Sequence, residues 1–252
     1  MHKVLTLNNI SVSGLRQLPR QSYEVASEIG HPDAIMLRSF NMHDMDIPET
    51  VQGVARAGAG VNNIPVEALS KRGVPVFNAP GANANAVKEL VIGGMLLAAR
   101  NLAPAWAYVR DLEAEGKELS KLVESGKKQF VGFELPTRTL GVIGLGAIGV
   151  QVANTALSLG MRVIGFDPQI TVQRAWELSS GVQQARSMDD LISRADMISV
   201  HVPLVDGTRG LLNDERLKLA PQGTIVMNFS RGEIVDEAAV LAALDADHLG
   251  CY

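Results

Sequence analysis

The stretch that most constrains the fold is TLGVIGLGAIG at residues 139–149, where three glycines separate a strand pattern from a helix pattern. The glycines, Gly144, Gly146 and Gly149, are spaced as G-x-G-x-x-G. The apolar run TLGVI before them is typical of a buried strand. After them, apolar residues recur at helical spacing, at Ile148, Val152, Ala156 and Leu159. The pattern predicts a strand that turns tightly into an amphipathic helix.

A glycine turn in this context is typical of a dinucleotide-binding fold. The first glycine permits the tight turn, the second lets a pyrophosphate approach the backbone, and the third lets helix and strand pack closely. The helix N-terminus supplies free N–H groups for the phosphates. Asp167 ends the next apolar run, 18 residues after Gly149, where a carboxylate binds ribose hydroxyls and repels a 2′-phosphate. These features predict NAD rather than NADP; the alternative is a purely structural turn in a doubly wound sheet.

Strand patterns alternate with helical patterns along the whole chain. The predicted strands are KVLTL, AIMLR, GVARAG, VPVFN, TLGVIG, RVIGFD, MISVHVP, TIVMNF and HLGCY. Such alternation predicts an α/β fold of parallel sheets covered on both faces. One set of strands lies within residues 1–81 and a second begins at residue 139, so we expect two domains, 1–81 and 82–252.

The segment between the two sets of strands is mostly helical. AVKELVIGGMLLAAR, residues 86–100, is apolar nearly all round and is expected to be buried. DLEAEGKELSKLVESGKK, residues 111–128, is strongly charged and is expected to be a solvated helix face or a subunit-contacting arm.

Composition excludes several classes of protein. Hydrophobic residues make up 46% of the 252 residues and charged residues 20%, which is a globular composition. The net charge of −4 argues against a nucleic-acid partner, and the longest apolar run, residues 91–99, is too short for a membrane span. The first residues, MHKVLTLNNIS, read as a strand rather than a signal peptide. Cys251 is the single cysteine, so no internal disulfide forms, which fits the cytoplasm.

Three further segments resemble the D-isomer-specific 2-hydroxyacid dehydrogenases. HVPLVDGTRGLLN at 201–213 and MNFSRGEIVDEAAVLAAL at 227–244 resemble the family in general. RAGAGVNNIPVEALSKRGVPVFNAPGANANAVKEL at 56–90 is most similar to the members that act on D-3-phosphoglycerate. The resemblance implies a flavodoxin-like substrate domain, a Rossmann NAD-binding domain, and a helical linker at 86–125 through which homodimers or homotetramers form.

The resemblance also implies which residues contact the cofactor and the reacting carbons. Arg231 is the implied catalytic arginine, whose planar cation holds the carboxylate and carbonyl of a 2-oxo acid. Backbone N–H groups of Ala147 and Ile148 are implied to bind the pyrophosphate. The remaining implied cofactor contacts are His201, Val202 and Pro203 at the adenine, and the backbone of Phe229 and Ser230 at the nicotinamide.

In the first domain the loop AGAGV, residues 57–61, resembles the family's loop whose amides bind the substrate carboxylate. Ala59 and Gly60 form its tip. Arg38 and Ser39 follow a predicted strand and are expected to point a cation and a hydroxyl into the substrate site. Arg56 and Asn83 are further candidates, and no metal site is expected.

The family uses an acid/base histidine paired with a glutamate, and both lie beyond the segment represented here by HLGCY. None of the five histidines occupies that position; they are His2, His31, His43, His201 and His248. We therefore expect a further C-terminal part. The implied reaction is NAD-dependent oxidation of D-3-phosphoglycerate to 3-phosphohydroxypyruvate. Two alternatives stay open: a glyoxylate, hydroxypyruvate or D-lactate dehydrogenase, and an NAD-sensing binding protein without turnover.

Overall fold

The structure, a computed structural model, describes residues 1–113 and 115–252. The chain divides into two compact units, Met1–Asn83 and Ala84–Tyr252. Each unit has its own parallel sheet and its own apolar core. The charged segment 111–128 includes Ala114, which lies outside the described residues.

The first unit is a five-stranded sheet with two short helices. Its elements are β1 (His2–Leu7), α1 (Val12–Leu15), β2 (Tyr23–Ala26), β3 (Ala34–Leu37), β4 (Gly53–Arg56), α2 (Val66–Lys71) and β5 (Val76–Phe77). The strand order is β2-β1-β3-β4-β5 and every pair is parallel, which is the flavodoxin-like order. Leu5, Ile35 and Val54 stand in register and pack in one core cluster. This order places the ends of β3 and β4, where the predicted substrate residues lie, side by side.

The second unit has a six-stranded sheet. Its helices are α3 (Ala84–Ala99), α4 (Leu102–Arg110), α5 (Gly116–Gly126), α6 (Ala147–Ser158), α7 (Val172–Glu177), α8 (Met188–Ile192), α9 (Asp214–Leu217) and α10 (Glu237–Asp245). Its strands are β6 (Thr139–Ile143), β7 (Arg162–Phe166), β8 (Gln183–Gln184), β9 (Met197–Val200), β10 (Thr224–Asn228) and β11 (Leu249–Cys251). All pairs are parallel, in the order β11-β10-β9-β6-β7-β8.

Counted from β6 as the first strand, this order is the 3-2-1-4-5-6 arrangement of a Rossmann fold. Alternate residues of the central strands belong to two separate core clusters, as Ile198 and Met197 do in β9. Both faces of the sheet are therefore covered, which explains why these strands are continuous apolar runs. The carboxyl ends of β6, β7, β9 and β10 share one edge of the sheet, where a Rossmann fold binds its ligand.

The predicted apolar face of α6 is largely correct. Val152 and Ala156 are buried, together with Val150 and Ala153. Leu159 is an exception, because it lies after the last helical residue and its side chain is partly exposed.

The prediction that residues 86–100 are buried on all sides is wrong within this unit. Helix α3 buries one stripe, which includes Val91 and Met95 and packs among the residues of α6. Leu90 and Leu97 lie on the opposite side and are 60% and 49% exposed. A single sheet with one flanking helix can cover only one stripe of α3, so the second stripe remains available for contacts outside the unit.

No single helix among the described residues has the length and apolarity needed to cross a bilayer. Helices α3 and α4 meet those criteria only as a pair, and they are bent by 65° at the break between them.

Candidate functional site

The glycine turn has the geometry that its three glycines require. Gly144 follows β6 with a φ of +91°, a left-handed conformation that favours glycine, and its N–H donates to the Phe166 carbonyl at 2.9 Å. A Cβ on Gly144 would also stand 2.8 Å from the carbonyl group of His201. A Cβ on Gly149 would overlap the carbonyl oxygen of Gly144. These two glycines therefore let strand, turn and helix pack closely.

Gly146 serves a different purpose, because the space beside it is open. It precedes α6 in an extended conformation, and a Cβ there would meet no atom within 4 Å. The first N–H groups of α6, including those of Ala147 and Ile148, have no acceptor within the helix. Open space beside a glycine at the start of a 12-residue helix fits a pyrophosphate, so the turn suits NAD.

Asp167 follows β7 and accepts two backbone hydrogen bonds. Its Oδ2 accepts from the N–H of Leu145, and its Oδ1 accepts from the N–H of Gln169, both at 2.8 Å. The bond to Leu145 fixes the carboxylate beside the glycine turn. Each oxygen retains a lone pair for a ribose hydroxyl. Asp167 thus has a structural contact that sequence reasoning missed, in addition to its predicted ribose contact.

His201 supports this region from inside the domain. Its Nε2 lies 2.8 Å from the hydroxyl of the buried Ser199, and its Nδ1 is buried with no partner among the described residues. Burial lowers the pKa of His201 to about 4, so the ring is neutral at physiological pH. Its backbone N–H donates to the Ile143 carbonyl at 2.7 Å. The ring therefore anchors the segment after β9, and the cofactor contact of His201 stays a prediction.

Val202 and Pro203 continue the same segment. A Cβ on Gly144 would lie 3.0 Å from Cγ1 of Val202, so Val202 borders the glycine turn. Pro203 is exposed, and its carbonyl accepts from the Thr208 hydroxyl at 2.6 Å. The structure thus brings together Val202, the glycine turn and Asp167.

Arg231 lies in a tight turn after β10. Its side chain is exposed, and its Nη1 donates to the Ser230 carbonyl at 3.0 Å. The Ser230 hydroxyl donates to the Val200 carbonyl at 2.9 Å, which ties this turn to the end of β9. The Phe229 ring packs on α3, where a Cβ on Gly94 would stand 3.1 Å from it. The cofactor contact expected of the Phe229 backbone stays a prediction.

The motif that contains Arg231 also includes a helix cap. The Asp236 side chain accepts from the N–H of Ala239 at 3.1 Å at the start of α10. Part of this family-like motif thus builds structure rather than a site.

In the first unit, the predicted substrate residues cluster at the carboxyl ends of β3 and β4. The carbonyl of Arg38 accepts from Nε of Arg56 at 3.0 Å, and the Ser39 N–H donates to Oδ1 of Asn8 at 3.2 Å. The Arg38 and Ser39 side chains are exposed. The Arg56 guanidinium lies against Gly58, where a Cβ would stand 2.5 Å from Nη1.

The loop of residues 57–61 is held by the segment after β5. The Asn78 side chain donates to the Ala59 carbonyl at 2.6 Å, and the N–H of Ala79 donates to the Gly58 carbonyl at 2.9 Å. Gly60 beside them is partly exposed. Asn83 is exposed and is the last residue of the unit, and its substrate contact stays a prediction.

Several asparagines that hold these loops were missed by the sequence analysis. Asn78 directly follows β5, Asn228 is the last residue of β10, and Asn63 donates to the carbonyls of Arg38 and Phe40. An asparagine directly after an apolar strand is a turn signal, and that signal could have found the first two. Among the described residues, no cluster of three His, Cys, Asp or Glu side chains could hold a metal ion.

Comparisons with known proteins agree with this geometry. Residues 92–252 match the model of the D-isomer specific 2-hydroxyacid dehydrogenase NAD binding domain. The chain is 39% identical over 224 residues to a D-3-phosphoglycerate dehydrogenase from Methanocaldococcus jannaschii, covering 88% of this chain and 40% of that protein. It is 35% identical over 247 residues to the Homo sapiens D-3-phosphoglycerate dehydrogenase, covering 97% and 43%. The chain therefore spans about two fifths of the length of these relatives.

Solved structures give the same result for the fold. The holo form of Rhodotorula graminis D-mandelate dehydrogenase superposes with a TM-score of 0.82 at 24% identity, covering 98% of this chain and 79% of that one. The TT0316 protein of Thermus thermophilus superposes with a TM-score of 0.79 at 28% identity, with the same coverage.

The chain belongs to the D-isomer-specific 2-hydroxyacid dehydrogenase family. Within that family, its second unit is the NAD-binding domain. The predicted family, fold class and cofactor are confirmed.

Proposed function

We propose that this protein uses NAD to oxidise D-3-phosphoglycerate to 3-phosphohydroxypyruvate, the entry to serine biosynthesis. The observation that carries the proposal is the similarity, at 34–39% identity, to relatives that are D-3-phosphoglycerate dehydrogenases. The cation-bearing cluster of Arg38 and Arg56 supports it, because this substrate carries both a phosphate and a carboxylate.

Arg231 is the residue that we assign to the reacting end of the substrate. NAD, when bound, accepts the hydride. The exposed guanidinium is a planar cation that can hold a carboxylate and polarise the adjoining carbonyl. The backbone amides of residues 57–61 and the Arg38 side chain would bind the substrate's anionic groups.

The hydroxyl proton requires an acceptor, and neither histidine of the second unit suits that role. The His201 ring is buried against Ser199, and Nε2 of His248 lies 3.0 Å from the Leu217 carbonyl. The alternative of an NAD-binding protein without turnover would bind NADH and leave every 2-hydroxy acid unchanged.

A substrate panel tests the proposal. We expect kcat/KM for D-3-phosphoglycerate to exceed that for D-glycerate and D-lactate by at least about tenfold, because charged hydrogen bonds to the phosphate are worth about 1.5–3 kcal/mol. Arg38→Ala should reduce this preference. Equal kcat/KM values with and without the phosphate would favour a glyoxylate, hydroxypyruvate or D-lactate dehydrogenase.

We also propose that the protein is a homo-oligomer that forms through residues 86–125. Leu102, Trp106 and Val109 are each about half exposed or more and lie on one side of α4. A second copy of the chain would bury this stripe, since a surface that is apolar and continuous marks an interface. Light scattering should give a dimer or tetramer for the wild type and a smaller species for Trp106→Glu.

A further inference from the structure

The turn that carries Arg231 is held by the side chain of one residue, Asn228. Its Oδ1 accepts from the N–H of Ser230 at 3.0 Å, and its Nδ2 donates to the Arg231 carbonyl at 2.8 Å. One amide thus bridges both main-chain segments that flank the Cα of Arg231. Asn228 is the last residue of β10 and is paired with Val200 of β9, so its backbone is fixed by the sheet.

Other contacts complete the support of this turn. The Arg231 carbonyl also accepts from the N–H of Ile234 at 3.2 Å. The Ser230 hydroxyl is bonded to Val200 of the neighbouring strand. The backbone of Arg231 is therefore tied to the sheet, whereas its guanidinium is exposed.

We propose that Asn228 is a positioning residue that fixes the origin of the Arg231 side chain for substrate binding. The proposal rests on the role proposed above for Arg231. Binding of a carboxylate by a guanidinium depends on the orientation of its planar fork. A displacement of about 1 Å in such a group lowers activity by as much as about a hundredfold. Asn228 touches neither substrate nor cofactor in this scheme and acts through the turn.

The chain offers a matched control in Asn154 of α6. Its Nδ2 donates to the Glu177 carbonyl at 2.9 Å, and its Oδ1 accepts from the N–H of Ser179 at 2.9 Å. Asn154 therefore makes the same two kinds of bond as Asn228, in the same unit, and neither bond involves a residue of the candidate site. Asn154→Ala and Asn228→Ala remove equivalent bonds, so a purely structural role predicts similar effects for both.

The first experiment measures binding and turnover in the full chain. Each variant is loaded with NADH and titrated with oxamate, an unreactive 2-oxo acid analogue, and turnover is followed with D-3-phosphoglycerate. We expect Asn228→Ala to weaken oxamate binding and to lower kcat/KM by about tenfold to a hundredfold. Asn228→Asp keeps the bond from Ser230 and loses the bond to Arg231. Its oxamate affinity and its kcat/KM should therefore lie between those of Asn228→Ala and the wild type. Asn154→Ala should match the wild type in both assays.

Arg231→Ala separates failure of this inference from failure of the proposed function. If Arg231→Ala loses oxamate binding and Asn228→Ala does not, the positioning role is wrong and the role of Arg231 stands. If the wild type binds oxamate no better than Arg231→Ala, the assignment of Arg231 is wrong and the inference is overturned with it.

A second measurement requires no ligand. Hydrogen exchange at the Ser230 amide should accelerate in Asn228→Ala and remain slow in Asn228→Asp, because only the aspartate keeps the acceptor. The 15N relaxation of Arg231 should report a more mobile backbone in both variants. Unchanged exchange and relaxation in Asn228→Ala would overturn the proposal irrespective of activity.

Discussion

Two single residues, Asp167 and His201, show how one side chain serves both the fold and the site. The Asp167 carboxylate accepts from Leu145 in the glycine turn, so it shapes the turn that it faces. The His201 ring, bonded to Ser199, holds the segment that borders the same turn. Substitutions at either residue therefore need readouts that separate cofactor affinity from stability.

Replacing Asp167 should change the choice of cofactor. In Asp167→Ser the charge that repels a 2′-phosphate is removed, and we expect the affinity for NADP relative to NAD to rise about tenfold or more, for a repulsion of roughly 1–3 kcal/mol. The absolute affinity for NAD should fall, because the acceptor of the Leu145 N–H is lost. Fluorescence titration with NADH and NADPH measures both. An unchanged NADP-to-NAD ratio would remove Asp167 from the ribose site.

The buried His201 should make stability depend on pH. Because its pKa is lowered to about 4 in the folded state, the unfolded chain binds more protons between pH 4 and 6.5. Stability must therefore fall as the pH drops through this window. Between pH 7.5 and pH 5, the wild type should lose about 2 kcal/mol more than His201→Asn in urea unfolding. Parallel losses in the two proteins would show that His201 titrates normally.

Arg231 should act on the substrate and leave the cofactor unaffected. Arg231→Ala should lose about 3–5 kcal/mol of transition-state stabilisation, as measured by kcat/KM. The affinity for NADH should stay near that of the wild type. Arg231→Lys should restore part of the activity, since an ammonium lacks the planar fork. The matched control is Arg162→Ala. Arg162 is the first residue of β7, so it lies at the amino-terminal end of the strand, away from the carboxyl ends where Arg231 lies. Full turnover in Arg231→Ala would overturn its assignment.

At the scale of elements, β6, the glycine turn and α6 form the unit on which NAD binding depends. The turn uses its glycines in different ways. Gly149 faces the Gly144 carbonyl inside the protein, whereas Gly146 faces open space. Alanine substitutions should therefore separate folding from binding.

Gly146→Ala should keep the fold, because the φ of −76° at this position suits alanine. It should weaken NAD binding, because the new methyl group fills the space in which we expect the pyrophosphate to bind. Gly149→Ala should reduce stability as well, because its methyl group would overlap the Gly144 carbonyl. Thermal unfolding and NADH titration of both variants check this. Equal NADH affinities in Gly146→Ala and the wild type would contradict the fit of the turn.

Most elements could be predicted from the sequence because hydrophobic periodicity reports burial. All nine predicted strands exist, with ends that differ by up to three residues, as in Met197–Val200 for the run MISVHVP. The two missed strands are edge strands, and one of them, Gln183–Gln184, consists of exposed polar residues with no apolar pattern. Leu90 of α3 was misjudged because a sequence shows that a residue is apolar but not whether a neighbour covers it.

The candidate site was predictable only where a motif specifies backbone geometry or charge. The glycine turn and Asp167 follow from spacing, and the structure places them together. The bonds from Asn228 to Ser230 and Arg231, and from Asn78 to Ala59, could not be predicted, because they depend on how loops fold back after a strand.

At the scale of the whole molecule, the chain consists of two units with separate cores. Each of the three apolar clusters draws its residues from one unit alone. The family model matches within the second unit, which also contains the glycine turn, Asp167 and Arg231. All the residues expected to contact the cofactor therefore belong to the second unit.

Residues 84–252, expressed alone, should fold and bind NADH with an affinity within about threefold of the whole chain. We expect this because the two clusters that line its sheet are complete without the first unit. Circular dichroism and NADH fluorescence provide the test. A fragment that is folded but binds NADH tenfold more weakly would show that the first unit contributes to the cofactor site.

The wholly parallel order of the second sheet has a consequence for how the domain assembles. Parallel neighbours cannot be joined by a hairpin, so every strand pair must close a long loop. The shortest such loop among the central strands joins β6 to β7 and contains α6. The pairing of β6 with β9 joins residues that are more than fifty positions apart in the sequence. Because early folding favours contacts close in sequence, we expect residues 139–167 to form the nucleus of this domain. The glycine turn that is expected to bind the nucleotide would then be among the first parts of the molecule to fold.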